Sequence, residues 1–109
     1  MYLVIRRYEM DPVSVGEVIR QIDEGFIPTI KDAPGFLAYY ALDAGAGGLA
    51  TVGVFEERTG AEESIKMAAD FIRQENLTSL LPNPPEIIAG EVGTHELNLA
   101  KLGIRKVTE

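Results

Sequence analysis

The sequence predicts an α+β fold: a ferredoxin-like β-α-β-β-α-β sandwich with an antiparallel sheet. Three observations predict it. Two stretches of helical periodicity alternate with short runs rich in β-branched and aromatic residues. Two of those runs, residues 35–42 and 49–56, are joined by residues 43–48, a connection too short for a parallel crossover. Each half of the chain also repeats strand, helix, proline-containing connection and strand, which calls for right-handed crossovers with both helices on one sheet face. A doubly wound parallel sheet is the alternative, and the short connection argues against it.

The elements follow in order. Residues 2–9 form the first strand. Asp11 then offers a helix N-cap with Pro12 at the first helical position, where the missing amide hydrogen costs nothing. Val15, Val18, Ile19, Ile22, Phe26, Ile27 and Ile30 recur at helical spacing opposite Glu17, Arg20, Asp23 and Glu24, so the helix runs to about Lys31. Pro34 and Gly35 break it. The hairpin of residues 35–42 and 49–56 reverses through a loop whose three glycines and one aspartate tolerate left-handed backbone values. Thr59 and Glu62 have capping-box spacing, and Ala61, Ile65, Ala68, Ala69 and Ile72 carry the second helix to about Asn76. Pro82, Pro84 and Pro85 stop any helix before a fourth strand over residues 86–94. Residues 1–94 therefore form one domain, and residues 95–109 a C-terminal extension that either contacts a partner subunit or is a partly ordered terminus.

Composition narrows the function. A chain of 109 residues, 46% hydrophobic, supports one core. Its 10 basic and 17 acidic residues give a charge of −7, which repels nucleic acid and anionic membranes, so neither is an expected partner. Without cysteine there is no disulfide, thiolate nucleophile or thiolate metal site. The first apolar run meets Arg6 and Arg7 too soon for a signal peptide, and no run approaches the roughly 18 apolar residues of a membrane span. The expected location is cytoplasmic.

The hairpin bears on assembly. In a simple register Phe36 faces Phe55, Ala38 faces Gly53, Tyr40 faces Thr51 and Leu42 faces Leu49, all on one side of the sheet. Leu37, Tyr39, Ala41, Ala50, Val52 and Val54 take the other, more uniformly apolar side, which is assigned to the helices. The first side is still largely apolar and needs cover, which predicts a homodimer packed through the non-helical sheet face, with a cavity for a small apolar or aromatic molecule beside it.

The first strand ends in Ile5-Arg6-Arg7-Tyr8, Pro34-Gly35-Phe36 leads into Tyr39 and Tyr40, and the third strand ends in Phe55-Glu56-Glu57 before an alanine-containing helix. Through these motifs the chain, over about residues 2–93, resembles the antibiotic-biosynthesis-monooxygenase-like family of the dimeric α+β barrel superfamily. The resemblance implies a dimeric barrel and a cofactor-independent monooxygenase acting on electron-rich phenols. It does not imply haem: the haem-degrading branch carries a histidine on the second helix and a pocket tryptophan, whereas residues 59–76 hold no histidine and the chain no tryptophan.

Oxygenation without a cofactor asks for an apolar cavity, a base that ionises the substrate and donors that stabilise the anion. The expected catalytic residues are Tyr40, Glu91 and His95, and the expected substrate-binding residues are Arg6, Phe36, Thr51 and Phe55. Leu3 and Ile5 suit the helices, so strand alternation puts Arg6 on the opposite, cavity side with Tyr2, Val4 and Tyr8. Glu91 interrupts an apolar strand beside the first strand and is expected to pair with Arg6, as a salt bridge or as a base. His95, the only histidine, ends that strand, either as a base at the cavity mouth or as a surface residue. Tyr40 offers a hydroxyl at the cavity wall or packs by its ring. No cofactor or metal set is expected: a single histidine without cysteine has no recognised ligand spacing, and Gly45, Gly47 and Gly48 precede a strand rather than a phosphate-binding helix. A dimeric barrel that binds a small apolar molecule without catalysis is the alternative.

Overall fold

The computed structural model describes residues 1–103. Strands β1 (Tyr2–Glu9), β2 (Phe36–Gly45), β3 (Gly48–Phe55) and β4 (Glu86–Glu91) form one sheet in the order β2-β3-β1-β4, with every neighbouring pair antiparallel. The expected ferredoxin-like α+β arrangement is thus present, with β1 and β3 central. The fourth strand ends at Glu91, short of residue 94, although the Val92 amide still donates to the Met1 carbonyl at 2.9 Å. Of the C-terminal extension, residues 95–103 hold only a turn closed by the Lys101 amide on Asn98 Oδ1, and Ile104 with the basic tip lies outside the described residues.

One helical run packs across the sheet between β1 and β2. Asp11 caps it as expected, accepting from the Val13 amide at 3.0 Å. A 3₁₀ turn (Pro12–Ser14) leads into α1 (Val15–Gln21), a π-helical turn (Ile22–Phe26) and α2 (Ile27–Ile30). The π turn has a cause in the sequence. Pro28 has no amide hydrogen and its ring crowds the carbonyl four residues back, so the wider turn just before it, closed by the Ile27 amide on the Ile22 carbonyl, keeps the run unbroken. The second helix, α3 (Arg58–Gln74), begins one residue before the expected capping box: Glu57 is its N-cap, no side chain caps it, and Arg58 reaches Glu62 at 2.6 Å instead. Its start sits tightly on the connection that precedes β2, because a Cβ at Gly60 would lie 2.6 Å from the Pro34 carbonyl oxygen.

The hairpin turns more sharply than the sequence predicts. Strands β2 and β3 extend to Gly45 and Gly48, leaving only Ala46 and Gly47, both at positive φ (53° and 84°) as a two-residue reversal requires. The Gly47 carbonyl accepts from the Met10 amide at 2.9 Å, and a Cβ on Gly47 would collide with the Met10 carbonyl oxygen. Gly47→Ala is therefore expected to cost about 1–3 kcal/mol in urea unfolding. Gly16→Ala, inside α1 with nothing within 4 Å, should be neutral or stabilising.

A bulge between Phe36 and Ala38 moves β2 by one residue, so Tyr39 opposes Gly53, Tyr40 opposes Val52 and Leu42 opposes Ala50. The expected register holds only at Phe36 and Phe55. The expected faces of β1 and β3 are inverted. The helices cover Val4, Arg6 and Tyr8 of β1 and Leu49, Thr51, Gly53 and Phe55 of β3, all buried. The aliphatic set, Leu3, Ile5, Ala50, Val52 and Val54, lies on the outer face with Tyr40, Leu42 and Ile88. The core is accordingly one cluster in which Val15, Val18, Ile22, Phe26 and Ile30 meet Phe55, Leu49 and Ala68.

Candidate functional site

The covered face of the sheet is not packed solid. Between β1, the helical run and α3 lies a chamber of about 20 Å³ walled by Ile22, Phe26, Phe71 and Leu77. Beyond it, between α3 and the segment of residues 78–85, lies a larger one of about 320 Å³ walled by Ile65, Ala69, Pro82 and Ile87. Arg6, Tyr8, Ala68, Ile72 and Leu81 border both, which makes them two parts of one cleft. The larger part is within the range of small-ligand sites, and its walls are mostly apolar with a few convergent polar groups.

Arg6 stands at the junction, 3% exposed. Its Nη1 donates to the Ser64 carbonyl at 3.4 Å and its Nη2 to the Tyr39 hydroxyl at 3.3 Å, both long, while Nε has no partner. None of the ion pairs among the described residues includes Arg6. Thr51, directly opposite Arg6 in the β1–β3 ladder and 2% exposed, has an unpartnered Oγ1. A guanidinium buried without a carboxylate, beside a second unsatisfied polar atom and against a cavity, is a costly arrangement for folding alone.

Two tyrosines complete the polar set. Tyr39 is fixed by ring contact with Phe26, centroids 5.4 Å apart, and Phe26 in turn meets Phe71 at 5.3 Å. Burial pushes the Tyr8 hydroxyl above its ordinary value of 10.0, and the Arg6 guanidinium pulls it back in part. At neutral pH Tyr8 is therefore a neutral donor and no counter-ion for Arg6. Because the folded state holds this proton more tightly than the unfolded chain, stability is expected to fall as pH rises from 10 toward the raised value. Urea unfolding of Tyr8→Phe across that range should show a shallower loss than the wild type; equal slopes would contradict it.

The expected site residues separate into two groups. Arg6 and Thr51 border the cleft. Phe36 and Phe55 are partners in the core, centroids 6.0 Å apart and edge-on, and border neither chamber. Tyr40 is 57% exposed on the outer face, His95 is exposed beyond the end of β4, and Glu91 is exposed with its carboxylate 3.6 Å from the N-terminal ammonium. Glu91 opposes Tyr2, four positions along β1 from Arg6, so the expected Arg6–Glu91 pair does not form. Sequence reasoning placed Tyr8 beside Arg6 but gave it no role. It missed Tyr39 and the segment of residues 77–85 as cleft walls, and Ser64, whose carbonyl accepts from Arg6. Strand alternation from Arg6 carried the signal for Tyr8; the others depend on the bulge and on how α3 lies, which no local pattern encodes.

No protein-family profile matches the sequence, and no curated protein does. Solved structures do match. A Streptomyces coelicolor monooxygenase in complex with the ligand nanaomycin D superposes with a TM-score of 0.70 at 18% identity, over 89% of this chain and 91% of that one. The chain shares the fold of that monooxygenase. A structure named antibiotic biosynthesis monooxygenase matches with a TM-score of 0.64 at 16% identity, over 86% of this chain and 100% of that one. A Nitrosomonas europaea protein of unknown function matches at 0.72 and 21% identity, over 89% and 93%. The antibiotic biosynthesis monooxygenase resemblance seen in the sequence is thus met at the level of fold. Among the described residues, no helix is long and apolar enough to cross a membrane, and no group of three or more His, Cys, Asp or Glu side chains converges as a metal set.

Proposed function

We propose that the protein is a monooxygenase that acts without a cofactor on a small electron-rich aromatic substrate held in the cleft under the helices. The observation that carries the reading is the cleft itself, a mostly apolar slot with Arg6 and Tyr8 at the junction of its two chambers and Tyr39 and Thr51 in the smaller one. An activated ring anion can give up electrons to dioxygen directly: a ring CH₂ activated by a neighbouring phenol becomes a carbonyl, and the second oxygen atom leaves as water. Arg6 stabilises the negative charge that such a reaction develops, and the apolar walls keep bulk water from the reacting carbon. That structures named monooxygenases share the fold supports the assignment.

The unit of function in this proposal is a homodimer. The outer sheet face presents Leu42, Tyr40 and Ile88, the last two each 57% exposed, around partly exposed Leu3, Ile5 and Val52. A continuous apolar sheet face of this kind fits a second copy of itself.

The test is oxygen uptake by the wild type with a panel of hydroxylated naphthalenes and anthrones, alongside Arg6→Gln. Stoichiometric uptake that falls at least tenfold in the variant is expected. Saturable binding with no uptake on any member would leave the second reading, a non-catalytic binding barrel, which the absence of a carboxylate or imidazole from the cleft's described walls favours.

A further inference from the structure

Among the described residues, the cleft contains a cation and no carboxylate or imidazole base. Its titratable groups facing Arg6 are Tyr8 and Tyr39 from the sheet. The helical run contributes Val18, Ile22 and Phe26, α3 contributes Ser64 and Ala68, residues 77–85 contribute Leu81 and Asn83, and β4 contributes Ile87; none of these ionises. Nothing described in the cleft can take a proton from a weakly acidic ligand, yet a buried positive charge with a free Nε–H stands ready for an anion. The Thr51 hydroxyl lies on the neighbouring strand at the same level and is equally without a partner.

We propose that the cleft takes its ligand as a preformed organic anion, with the charged oxygen between the Arg6 Nε–H and the Thr51 hydroxyl and the apolar body in the larger chamber. The inference deepens the reading above by naming the substrate class of the same site, and it rests on the cleft being the ligand site but not on oxygen chemistry. A single oxygen suits the geometry, because Nη1 and Nη2 are already engaged by Ser64 and Tyr39 and only Nε is wholly free. Arginine does not deprotonate over the working range of pH, so selection falls on the ligand's ionisation and not on the protein's. Affinity therefore rises as pH rises through the ligand's own pKa and levels off above it. Acidic phenols and enols satisfy this at neutral pH, whereas simple phenols enter only to the extent that they ionise in solution.

The probe is 4-nitrophenol, which ionises near neutrality and whose anion absorbs visible light, titrated into the full-length protein under argon. Wild-type protein is expected to bind it saturably, to lower its apparent pKa so that the phenolate band appears at more acidic pH, and to bind 4-nitroanisole at least tenfold more weakly. Arg6→Gln should return the probe's pKa to its free value and lose at least tenfold in affinity, and Thr51→Val should lose severalfold with an unchanged circular dichroism spectrum. Equal affinity for 4-nitrophenolate and 4-nitroanisole, or a raised pKa in the bound probe, would overturn it. If Arg6→Gln does not fold, the wild-type ligand comparison and Thr51→Val decide the matter. Anion binding without oxygen uptake on any substrate defeats the oxygenase reading alone, and oxygen uptake with preference for neutral ligands defeats this inference alone.

Discussion

Phe55→Ala is expected to lower the unfolding free energy by about 3–5 kcal/mol, the largest loss of any single truncation in this fold. Phe55 is fully buried at the end of a central strand, opposite Tyr2 on β1 and Phe36 on β2. Its ring meets Phe36 edge-on, and the first turn of α3 rests on it, since a Cβ at Gly60 would lie 3.3 Å from the Phe55 ring. Truncation leaves a void bounded by sheet backbone and a helix start, two elements that cannot collapse inward without breaking hydrogen bonds. Against a total stability of about 5–15 kcal/mol, that is a large share of the margin. Urea unfolding followed by far-ultraviolet circular dichroism should show the midpoint fall sharply, and Phe55→Leu should recover a large part of it. An unchanged midpoint in Phe55→Ala would mean that α3 does not pack where the structure puts it.

Val52→Glu is expected to turn the proposed dimer into a folded monomer. Val52 is central on the outer face, between Ile5 on β1 and Tyr40 on β2. In an isologous interface the same patch meets itself, so the substitution buries two carboxylates near the two-fold axis. Like charges juxtaposed there cost about 3 kcal/mol or more, roughly a hundredfold in the association constant. Sedimentation equilibrium should report twice the chain mass for the wild type and the chain mass for the variant, with matching circular dichroism spectra. The cleft lies on the other side of the sheet, so the monomer should still bind 4-nitrophenolate. A wild type that runs as a monomer at every concentration would remove the proposed role of the outer face.

The order of elements was legible in the sequence because helical and strand periodicities differ and the prolines and glycines mark the breaks. The assignment of sheet faces failed, for a physical reason. The usual inference gives the more aliphatic side of a strand to the helices, and here that side is Leu3, Ile5, Ala50, Val52 and Val54. It is the outer face instead, and the helices cover Arg6, Tyr8, Thr51 and Gly53, a poorer core set. The cleft, with Arg6 and Tyr8 between its two chambers, occupies part of the position that a plain hydrophobic core would fill. The bulge at Leu37 slips β2 by one residue against β3, so Tyr39 and Ala41 stay under the helices and Tyr40 and Leu42 on the outer face, as expected, while their partners on β3 change. Arg6 and Thr51 were chosen for a cavity on the non-helical face, Arg6 by alternation along the first strand and Thr51 by the simple hairpin register, and they border the cleft because that side of β1 and β3 is the one the helices cover. Glu91 was misjudged because only the register shows that it opposes Tyr2 at the strand end, far from Arg6.

The account rests on the ligand lying under the helices and not on the outer sheet face. The most direct measurement is a two-dimensional amide NMR titration of isotope-labelled protein with an electron-rich aromatic anion. The predicted result is saturable shifts concentrated at Arg6, Tyr8, Thr51, Ala68 and Thr78, the residues that border the cleft. Shifts concentrated instead at Ile5, Tyr40, Leu42 and Ile88, with the cleft amides unmoved, would contradict it.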